Sequence, residues 1–305
     1  MAQTIASEDE VLSWFDQYSN WDRWGSDDMR GTLNFITESK RQSAAALVRD
    51  GITVSCARPV ELTPSMDVPA GFAHRFMERS GDVLNATGAS DSLLVSMHGG
   101  ARTHLDSPCH ILWNGKMFNG VEGSMVTQSG GAKTGAVDTA VQGIVSRGVL
   151  LDIARLKGRN WLEAGEAVFP EDLDDAEAQQ GVQVGEGDIL LVRTGHTARR
   201  VQDPLSYGSW PGLHAMCIPW LADRRVAALG TDSANDVSPS GYAKVGLPIH
   251  RVGIASMGLW LIDHCNHEQL TNVCARLNRW EFLFVVAPLN LPTMTGSLVN
   301  PIALL

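Results

Sequence analysis

Four short apolar segments constrain the fold of this chain more than any other feature of its sequence. They read GVLLDIA (148–154), GDILLVRT (187–194), VAALGT (226–231) and FLFVVA (282–287). Apolar runs of this length, partly β-branched, predict strands that are buried on both faces. Because helices are predicted between them, at 170–180, 213–223 and 267–280, we expect an α/β domain whose mixed, partly parallel central sheet is flanked by helices.

The first 45 residues are predicted to form an aromatic-rich arm on this domain. Apolar side chains stand among acidic residues and glycines, namely Trp14, Phe15, Tyr18, Trp21, Trp24, Leu33 and Phe35. Such a segment must be packed on something, either its own domain, another subunit or a pocket that it covers. Since no linker or repeat divides the sequence, we expect one domain over residues 1–305, with 1–45 as its arm.

Local signals predict further elements near the N-terminus. Thr37 is a capping residue for the segment ESKRQSAAALVRD, which is followed by Gly51, and this predicts a helix between them. Residues 52–60 alternate like a strand. Residues 61–92 show little periodicity and contain several prolines and glycines, so we expect a long functional loop or a few short strands there.

Composition and charge exclude several classes of protein. The 305 residues carry a net charge of −10, which argues against nucleic acid or an anionic membrane surface as a partner. The N-terminus has no basic segment before an apolar run, and no apolar stretch approaches the roughly 20 residues of a spanning helix. The five cysteines are scattered without a CxxC pair, so neither a disulfide framework nor a thiolate zinc site is predicted. We expect a cytoplasmic protein that binds a small molecule.

Residues with metal-binding side chains are concentrated in the segment 96–120. His98, His104, Asp106 and His110 lie within thirteen residues of one another. Imidazole nitrogens and carboxylates are ligands that divalent ions such as Zn²⁺ and Mn²⁺ accept. In an extended chain, His98, His104 and Asp106 leave the same face because their separations are even. The spacing therefore predicts a metal site, with His110 near it but not necessarily a ligand.

Three residues close to this cluster in sequence, Trp113, Phe118 and Cys109, can each be interpreted in two ways. Trp113 and Phe118 could form an apolar wall for an aromatic substrate, or they could pack in the core. Cys109 suggests a thiol nucleophile beside His110, although a histidine that acts as base for metal-activated water fits the surroundings better.

Two aspartates that follow a predicted strand are also open to two interpretations. Asp232 and Asp236 come directly after the segment VAALGT. They could contact a metal ion or a substrate, but aspartates at this position also make turns, and turns are commoner.

The segment THLDSPCH, with HGG before it and WNGKMFNG after it, resembles the HxGTHxDxPxH signature of the metal-dependent cyclase-like hydrolases. That family includes bacterial kynurenine formamidase and isatin hydrolase. Three more segments resemble parts of its longer members in the same order, NWDRWGSDDMRGTLNFIT (20–37), GDILLVRTG (187–195) and PLNLPTMTGSLVNPIA (288–303). The resemblance covers most of the chain and implies the family's swivelling β/β/α fold.

Carried over by position, the resemblance implies that His98, His104 and Asp106 bind the metal ion and that His110 is the general acid and base. One spacing departs from the family's short-form motif. There the first two histidines are four residues apart, whereas here they are six apart, and Gly100 stands where the strict spacing would place the first ligand.

The resemblance extends to three residues outside the central motif. His250, in GLPIHR, resembles the family's second-half histidine, and Asp263, in GLWLIDHC, falls where members often have glutamate. These two could bind a second ion, hold a water molecule or orient the first ligands. His74, in PAGFAHRFM, resembles a pocket-lining position of the longer members.

The activity that the resemblance implies is metal-dependent hydrolysis of an amide or ester. The substrate would be a small molecule, such as a cyclic lactam, a lactone or an aryl formamide, attacked by metal-activated water. The alternative is a non-catalytic metal or small-molecule binding protein on the same fold, because of the departure at 100–102. Together with the aromatic arm, the resemblance also implies a homo-oligomer, either a dimer or a tetramer.

Overall fold

The structure is a computed structural model that describes residues 5–60, 73–80, 88–100, 102–202 and 209–305, with the backbone alone at 73–80, 88 and 89. The strands are β1 (Thr53–Ser55), β2 (Ala73–Ser80), β3 (Gly88–Val95), β4 (His104–Asp106), β5 (Val126–Thr127), β6 (Gly131–Ala132), β7 (Ile144–Asp152), β8 (Ala167–Val168), β9 (Ile189–Arg193), β10 (Gly212–Leu213), β11 (Ala228–Thr231), β12 (Trp260–Asp263), β13 (Glu281–Val286), β14 (Gly296–Leu298) and β15 (Ile302–Leu304).

The helices are α1 (Glu8–Gln17), α2 (Glu38–Ala45), α3 (Ile153–Leu156), α4 (Pro170–Gln180), α5 (His196–Gln202), α6 (Cys217–Asp223), α7 (Pro248–Val252) and α8 (Glu268–Leu277). Short 3₁₀ turns lie at Gly31–Phe35, Phe118–Gly120, Gly123–Met125 and Val137–Ala140, and a π-helical turn lies at Gly253–Met257. Within the described ranges, no helix is long and apolar enough to cross a bilayer.

Nine of the described strands form one mixed sheet, in the order β1-β15-β13-β7-β9-β11-β12-β4-β14. The four strands β7, β9, β11 and β12 are parallel. The strands on both sides of them, β13, β15 and β1 on one side and β4 and β14 on the other, are antiparallel to their neighbours. The prediction of an α/β domain with a mixed, partly parallel sheet is confirmed.

Consecutive apolar residues in the central strands point to opposite faces of the sheet, and both faces are buried. Leu150 packs in one hydrophobic cluster and Leu151 in the other, and Leu190 and Leu191 divide in the same way. This accounts for the continuous apolar runs, since side chains alternate along a strand. Strand β13 differs, because its residues alternate between buried and half-buried positions.

Helix bounds agree best with the sequence where both ends carry a strong local signal. Helix α4 begins at Pro170 and is followed by Gly181, whose φ of +64° ends it. Thr37 caps α2 as predicted, since its hydroxyl accepts from the Lys40 amide at 3.1 Å. Helix α2 ends at Ala45, well before Gly51. Only Ala44 of this helix is buried, so there is little tertiary packing to stabilise further turns.

Three regions outside the central strands can be described in more detail. The strand expected at 52–60 is confined to β1, which pairs with β15. Residues Val137–Ala140 form a 3₁₀ turn, and the chain from Ile144 onward pairs with β13. The region 61–92 contains β2 and the start of β3, which form a hairpin, and its other positions, 61–72 and 81–87, lie outside the described residues.

The N-terminal arm packs on its own domain, which is the first of the alternatives considered above. Trp14 is buried in the same hydrophobic cluster as strands β7 and β9. Further along the arm, the indole of Trp21 donates to the Ala255 carbonyl at 2.9 Å, and the hydroxyl of Thr32 donates to the Ala227 carbonyl at 2.7 Å. These contacts join the arm to the segments next to β11 and β12.

Candidate metal centre

Strand β4 carries two of the predicted ligands on one face. His104 and Asp106 are two residues apart, so their side chains leave the strand on the same side. On the neighbouring strand β12, Asp263 lies directly opposite His104. The three residues are buried, with exposed fractions of 2%, 0% and 5% for His104, Asp106 and Asp263. His104 Nε2 lies 3.5 Å from Asp106 Oδ1 and 3.9 Å from Asp263 Oδ2.

The main chain orients the ring of His104. Its Nδ1 donates to the carbonyl oxygen of Arg102 at 2.9 Å, and a carbonyl can only accept. In the neutral imidazole, Nε2 is therefore unprotonated, and this is the nitrogen that faces the carboxylates. Metal-binding histidines commonly have their second nitrogen held in this way.

His250 reaches the same carboxylates from helix α7. Its Nε2 lies 3.5 Å from Asp106 Oδ2 and 3.4 Å from Asp263 Oδ2. Its Nδ1 lies 2.6 Å from Asp236 Oδ2 on the other side of the ring. Two buried carboxylates and two imidazole nitrogens, those of His104 and His250, therefore meet in one place.

His98 approaches Asp106 by a path that the sequence did not predict. The expectation that one extended segment carries His98, His104 and Asp106 is wrong, because β4 begins at His104 and His98 lies in a turn. Gly99 follows with a φ of +121°, and the chain turns there. His98 Nδ1 nevertheless lies 2.8 Å from Asp106 Oδ1, and its Nε2 lies 2.9 Å from the hydroxyl of Thr295.

His110 lies at the more open edge of the cluster. After the turn at Ser107, the His110 amide donates to the Ser107 carbonyl at 2.9 Å. The imidazole stacks on that of His98, with ring centroids 3.9 Å apart and planes inclined by 11°. Its Nε2 lies 3.8 Å from Asp106 Oδ2, and its side chain is 24% exposed, so that it can meet a bound molecule.

Burial and charge set the protonation states of this cluster. Burial alone would raise the pKa of Asp106, but the imidazoles of His110 and His104 hold it well below its usual value. Burial also opposes ionisation of Asp263, yet His250 lowers the pKa of that carboxyl to about 2. Burial lowers the pKa of His110 to about 4. At neutral pH the two carboxylates are therefore ionised and His110 is uncharged.

The possible ligand atoms fall into two groups that share Asp106. One group consists of His98, Asp106 and His110, and the other of His104, Asp106 and Asp263. The predicted trio of His98, His104 and Asp106 is thus divided between the two groups. Asp106 occupies the centre, because its Oδ1 faces His98 and His104 while its Oδ2 faces His110 and the helix α7 histidine.

The two aromatic residues proposed as a substrate wall have different surroundings. Trp113 stacks on Phe15 of the arm, with centroids 4.2 Å apart, and both line a cavity of about 290 Å³. Phe118 is fully buried, and an atom added at Gly258 would meet its ring. Phe118 therefore packs in the core, whereas the half-buried Trp113 packs against the core and also lines this cavity.

Two further residues were considered for the site, His74 as a pocket-lining residue and Cys109 as a nucleophile. His74 lies in strand β2, whose side chains are outside the described part of the structure. Cys109 is buried, and burial raises the pKa of its thiol. A raised pKa disfavours the thiolate, so the thiol-nucleophile interpretation loses support.

Sequence reasoning missed or left open the residues that support the donors. Thr295, which contacts His98, belongs to the closing segment 288–303 but carries no signal of its own. Asn235 donates to Asp263 at 2.5 Å, and Asp236 holds the α7 histidine. The available signal was their position directly after β11, at the carboxyl end of a parallel strand, where functional residues of α/β sheets gather.

Comparison with known proteins places this chain in a family. The Cyclase family model matches residues 60–235, which is more than half of the chain. A search of curated proteins gave no match. Among solved structures, a crystal structure of a novel cyclase is 29% identical, with a TM-score of 0.86, and the match covers 95% of this chain and 99% of that one.

Two more distant structures share the fold. Isatin hydrolase A from Labrenzia aggregata, bound to benzyl benzoate, is 21% identical with a TM-score of 0.62, covering 87% of this chain and 98% of that one. A protein described as a predicted metal-dependent hydrolase from Bacillus stearothermophilus is 16% identical with a TM-score of 0.52, covering 83% and 97%. The family model and the fold together show that this chain belongs to the Cyclase family.

Proposed function

We propose that this protein is a metal-dependent hydrolase that attacks the carbonyl carbon of an amide or ester with water. One observation carries the proposal. The buried carboxylates of Asp106 and Asp263 both lie within 3.5 Å of His250 Nε2, beside His104 Nε2. Two anionic groups buried together need a compensating cation. Burial opposes a charge on His250, but Asp263 and Asp106 hold the pKa of its imidazole well above the usual value, and a divalent ion bound here would displace that proton and take its place.

The residues present fit a divalent ion. Oδ2 of Asp106 is buried and has no hydrogen-bond donor in satisfactory geometry among the described residues. Imidazole and carboxylate donors suit Zn²⁺ and Mn²⁺. We assign His104 and Asp106 as ligands, with His98, His250 and Asp263 as further donors. When bound, such an ion polarises a carbonyl oxygen and lowers the pKa of a coordinated water molecule toward about 7.

His110 is proposed as the general base and acid. Since burial lowers its pKa to about 4, its imidazole is neutral at pH 7 and accepts a proton from the attacking water. It then returns that proton to the leaving nitrogen or oxygen atom. The stack on His98 restricts rotation of the His110 ring. Assistance of this kind is typically worth about 10²–10⁴ in rate.

The proposed substrate is a small molecule with an aromatic or cyclic group next to the reacting carbonyl. Isatin hydrolase A, which shares the fold, acts by its name on a planar cyclic compound, and this supports such a substrate class here. Trp113 and His74 are proposed to contact that group. Aryl formamides, lactones and isatin-like lactams are therefore the first compounds to test.

The test separates metal binding from chemistry. Metal content of the purified protein is measured by inductively coupled plasma mass spectrometry, and turnover is measured on the substrate panel. We expect His104→Ala and Asp106→Asn to lose the ion and the activity together. His110→Ala should keep the ion while kcat falls by about 10²–10⁴. Full activity of His110→Ala, or of protein stripped of metal, would contradict the mechanism.

A histidine outside the cluster provides the control. The ring of His214 packs on Phe169 and Tyr242, with centroids 4.6 Å and 5.7 Å away. His214→Ala removes a similarly buried imidazole without touching the proposed ligands. It should leave the metal content and kcat within about twofold of the wild-type values.

A non-catalytic binding protein on the same fold is the competing function. Its support is Gly100, which stands at the position of the family motif's first ligand, and the engagement of both His98 nitrogens by Asp106 and Thr295. Bound metal without turnover of any compound in the panel would favour this function. Turnover of one compound, with water added to the product, would exclude it.

A further inference from the structure

We propose that Asn235 and Asp236 position the donors Asp263 and His250 and determine which of their atoms face the ion. The two positioning residues are adjacent in sequence and follow β11. Both are fully buried. This inference rests on the metal centre proposed above.

Asp236 determines the tautomer of His250. Its Oδ2 is 2.6 Å from His250 Nδ1 and also accepts from the His250 amide at 3.1 Å, while its Oδ1 accepts from the Ile249 amide at 2.6 Å. A carboxylate only accepts, so the ring proton is on Nδ1. A cation that binds here displaces the proton from Nε2, and the neutral ring that remains keeps its proton on Nδ1 and presents the lone pair of Nε2 to the cation. A neutral ring protonated at Nε2 instead would donate to Asp106 and Asp263 and block binding.

Asn235 selects the oxygen of Asp263 in a similar way. Its amide Nδ2 donates to Asp263 Oδ1 at 2.5 Å. The other oxygen, Oδ2, is therefore the one that faces His250 at 3.4 Å and His104 at 3.9 Å. Without this hydrogen bond the carboxylate could rotate about its last torsion, since that torsion is broad and roughly two-fold.

A second aspartate in the segment after β11 serves a different part of the fold. Asp232 is as buried as Asp236 and also accepts three hydrogen bonds. They come from the Thr194 amide at 2.8 Å, the Thr194 hydroxyl at 2.7 Å and the Gly195 amide at 2.7 Å. Its bonds stabilise the end of β9 and none of them reaches a proposed donor. Asp232→Asn is therefore a matched control for Asp236→Asn.

The experiment measures the dissociation constant for Zn²⁺ by competition with a chromophoric chelator. In Asp236→Asn, the amide group can donate to His250 Nδ1, which moves the ring proton to Nε2. We expect the affinity for Zn²⁺ to fall by about 10–100-fold, the usual effect of losing such a partner. Asp232→Asn should stay within about twofold of wild type. Equal affinities of Asp236→Asn and wild type would overturn the inference.

Two further measurements distinguish positioning from a general structural effect. In ¹⁵N imidazole spectra at saturating Zn²⁺, the wild-type His250 signal should show a proton on Nδ1, and Asp236→Asn should lose it. In the His250→Ala background, Asp236→Asn should cause no further loss of Zn²⁺ affinity, because it acts through that ring. Additive losses, or a wild-type ring protonated at Nε2, would overturn the inference.

A misfolded variant and a wild type without metal each have a defined meaning. If Asp236→Asn does not fold, Asn235→Ala tests the other half of the pair, and unchanged Zn²⁺ affinity in that variant would overturn its role. If the wild-type protein binds neither Zn²⁺ nor Mn²⁺, the metal centre itself is wrong. That failure is distinct from a wild type that binds the ion while Asp236→Asn binds it equally well.

Discussion

At the scale of single residues, a buried histidine outside the metal centre makes stability depend on pH. His267 is fully buried, and burial lowers the pKa of its imidazole to about 4, against about 6.5 in an unfolded chain. The unfolded state therefore binds the proton at a higher pH than the folded state does. The stability contributed by neutral His267 is fully present above about pH 6.5 and is lost as the pH falls toward 4.

This dependence can be isolated by substitution. From the two pKa values, we expect the wild type to lose about 2 kcal/mol through this residue between pH 7 and pH 5. Glutamine cannot take up this proton. The free energy of unfolding of His267→Gln should therefore fall by about 2 kcal/mol less than that of the wild type between pH 7 and pH 5. Urea titrations at both pH values measure the difference. Identical pH slopes for the two proteins would show that His267 is not the group responsible.

The sequence predicts single residues well only where the relevant neighbours are local. His104 and Asp106 could be paired because two positions along a strand share a face. The role of Asp263 depends on its register opposite His104, and that of Asp236 on helix α7 returning to the same place. Thr295 has no local signal at all. Contacts of this kind are set by the packing of distant segments, which spacing within one motif does not reveal.

At the scale of elements, the arm depends on a close approach between two backbones. Gly31 has a φ of +55°, and a Cβ added there would lie 2.2 Å from the Gly258 carbonyl oxygen. Gly51 has a similar φ of +66°, but nothing lies within 4 Å of an added Cβ. Both substitutions to alanine carry the cost of a positive φ, about 1–2 kcal/mol. Only Gly31→Ala also forces the arm away from the segment before β12.

We therefore expect Gly31→Ala to destabilise the protein by about 3 kcal/mol or more, since overpacking adds about 1–3 kcal/mol to the backbone cost. Gly51→Ala should cost about 1–2 kcal/mol. Urea unfolding of the two variants and the wild type measures both values. Equal losses would mean that the approach of Gly31 to Gly258 does not hold the arm in place.

Helices and strands could be predicted best where residues close in sequence determine their ends. Helix α4 was predicted with its bounds, and its ends are determined by Pro170 and Gly181, which act within one turn of the helix. The strand at 282–287 was predicted, but its antiparallel pairing with β7 was not, because register depends on a partner far away in sequence. The short strand β4 was not recognised as a separate element, although it carries two of the proposed ligands.

At the scale of the whole molecule, the proposed site lies where the parallel part of the sheet meets its antiparallel edge. Asp263 ends the parallel strand β12, while His104 and Asp106 belong to β4, which runs the opposite way beside it. The donors come from both halves of the chain, so the site is assembled only when β4 is paired with β12 and helix α7 is packed beside them. The family model ends at residue 235, before His250 and Asp263, so the assignment of those two donors rests on the geometry and on the resemblance of GLPIHR and GLWLIDHC alone.

The arm and the sheet share one hydrophobic cluster, and we therefore expect them to unfold together. Trp14 of the arm packs in the cluster that contains Leu151 and Leu190 of the central strands. Because this core would be left incomplete if the arm detached, far-UV circular dichroism and tryptophan fluorescence should give the same midpoint in urea. Trp14→Ala should cost about 3–5 kcal/mol and shift both midpoints equally. An early fluorescence transition, with the circular dichroism unchanged, would mean that residues 1–45 form a separately folding unit instead of part of one domain.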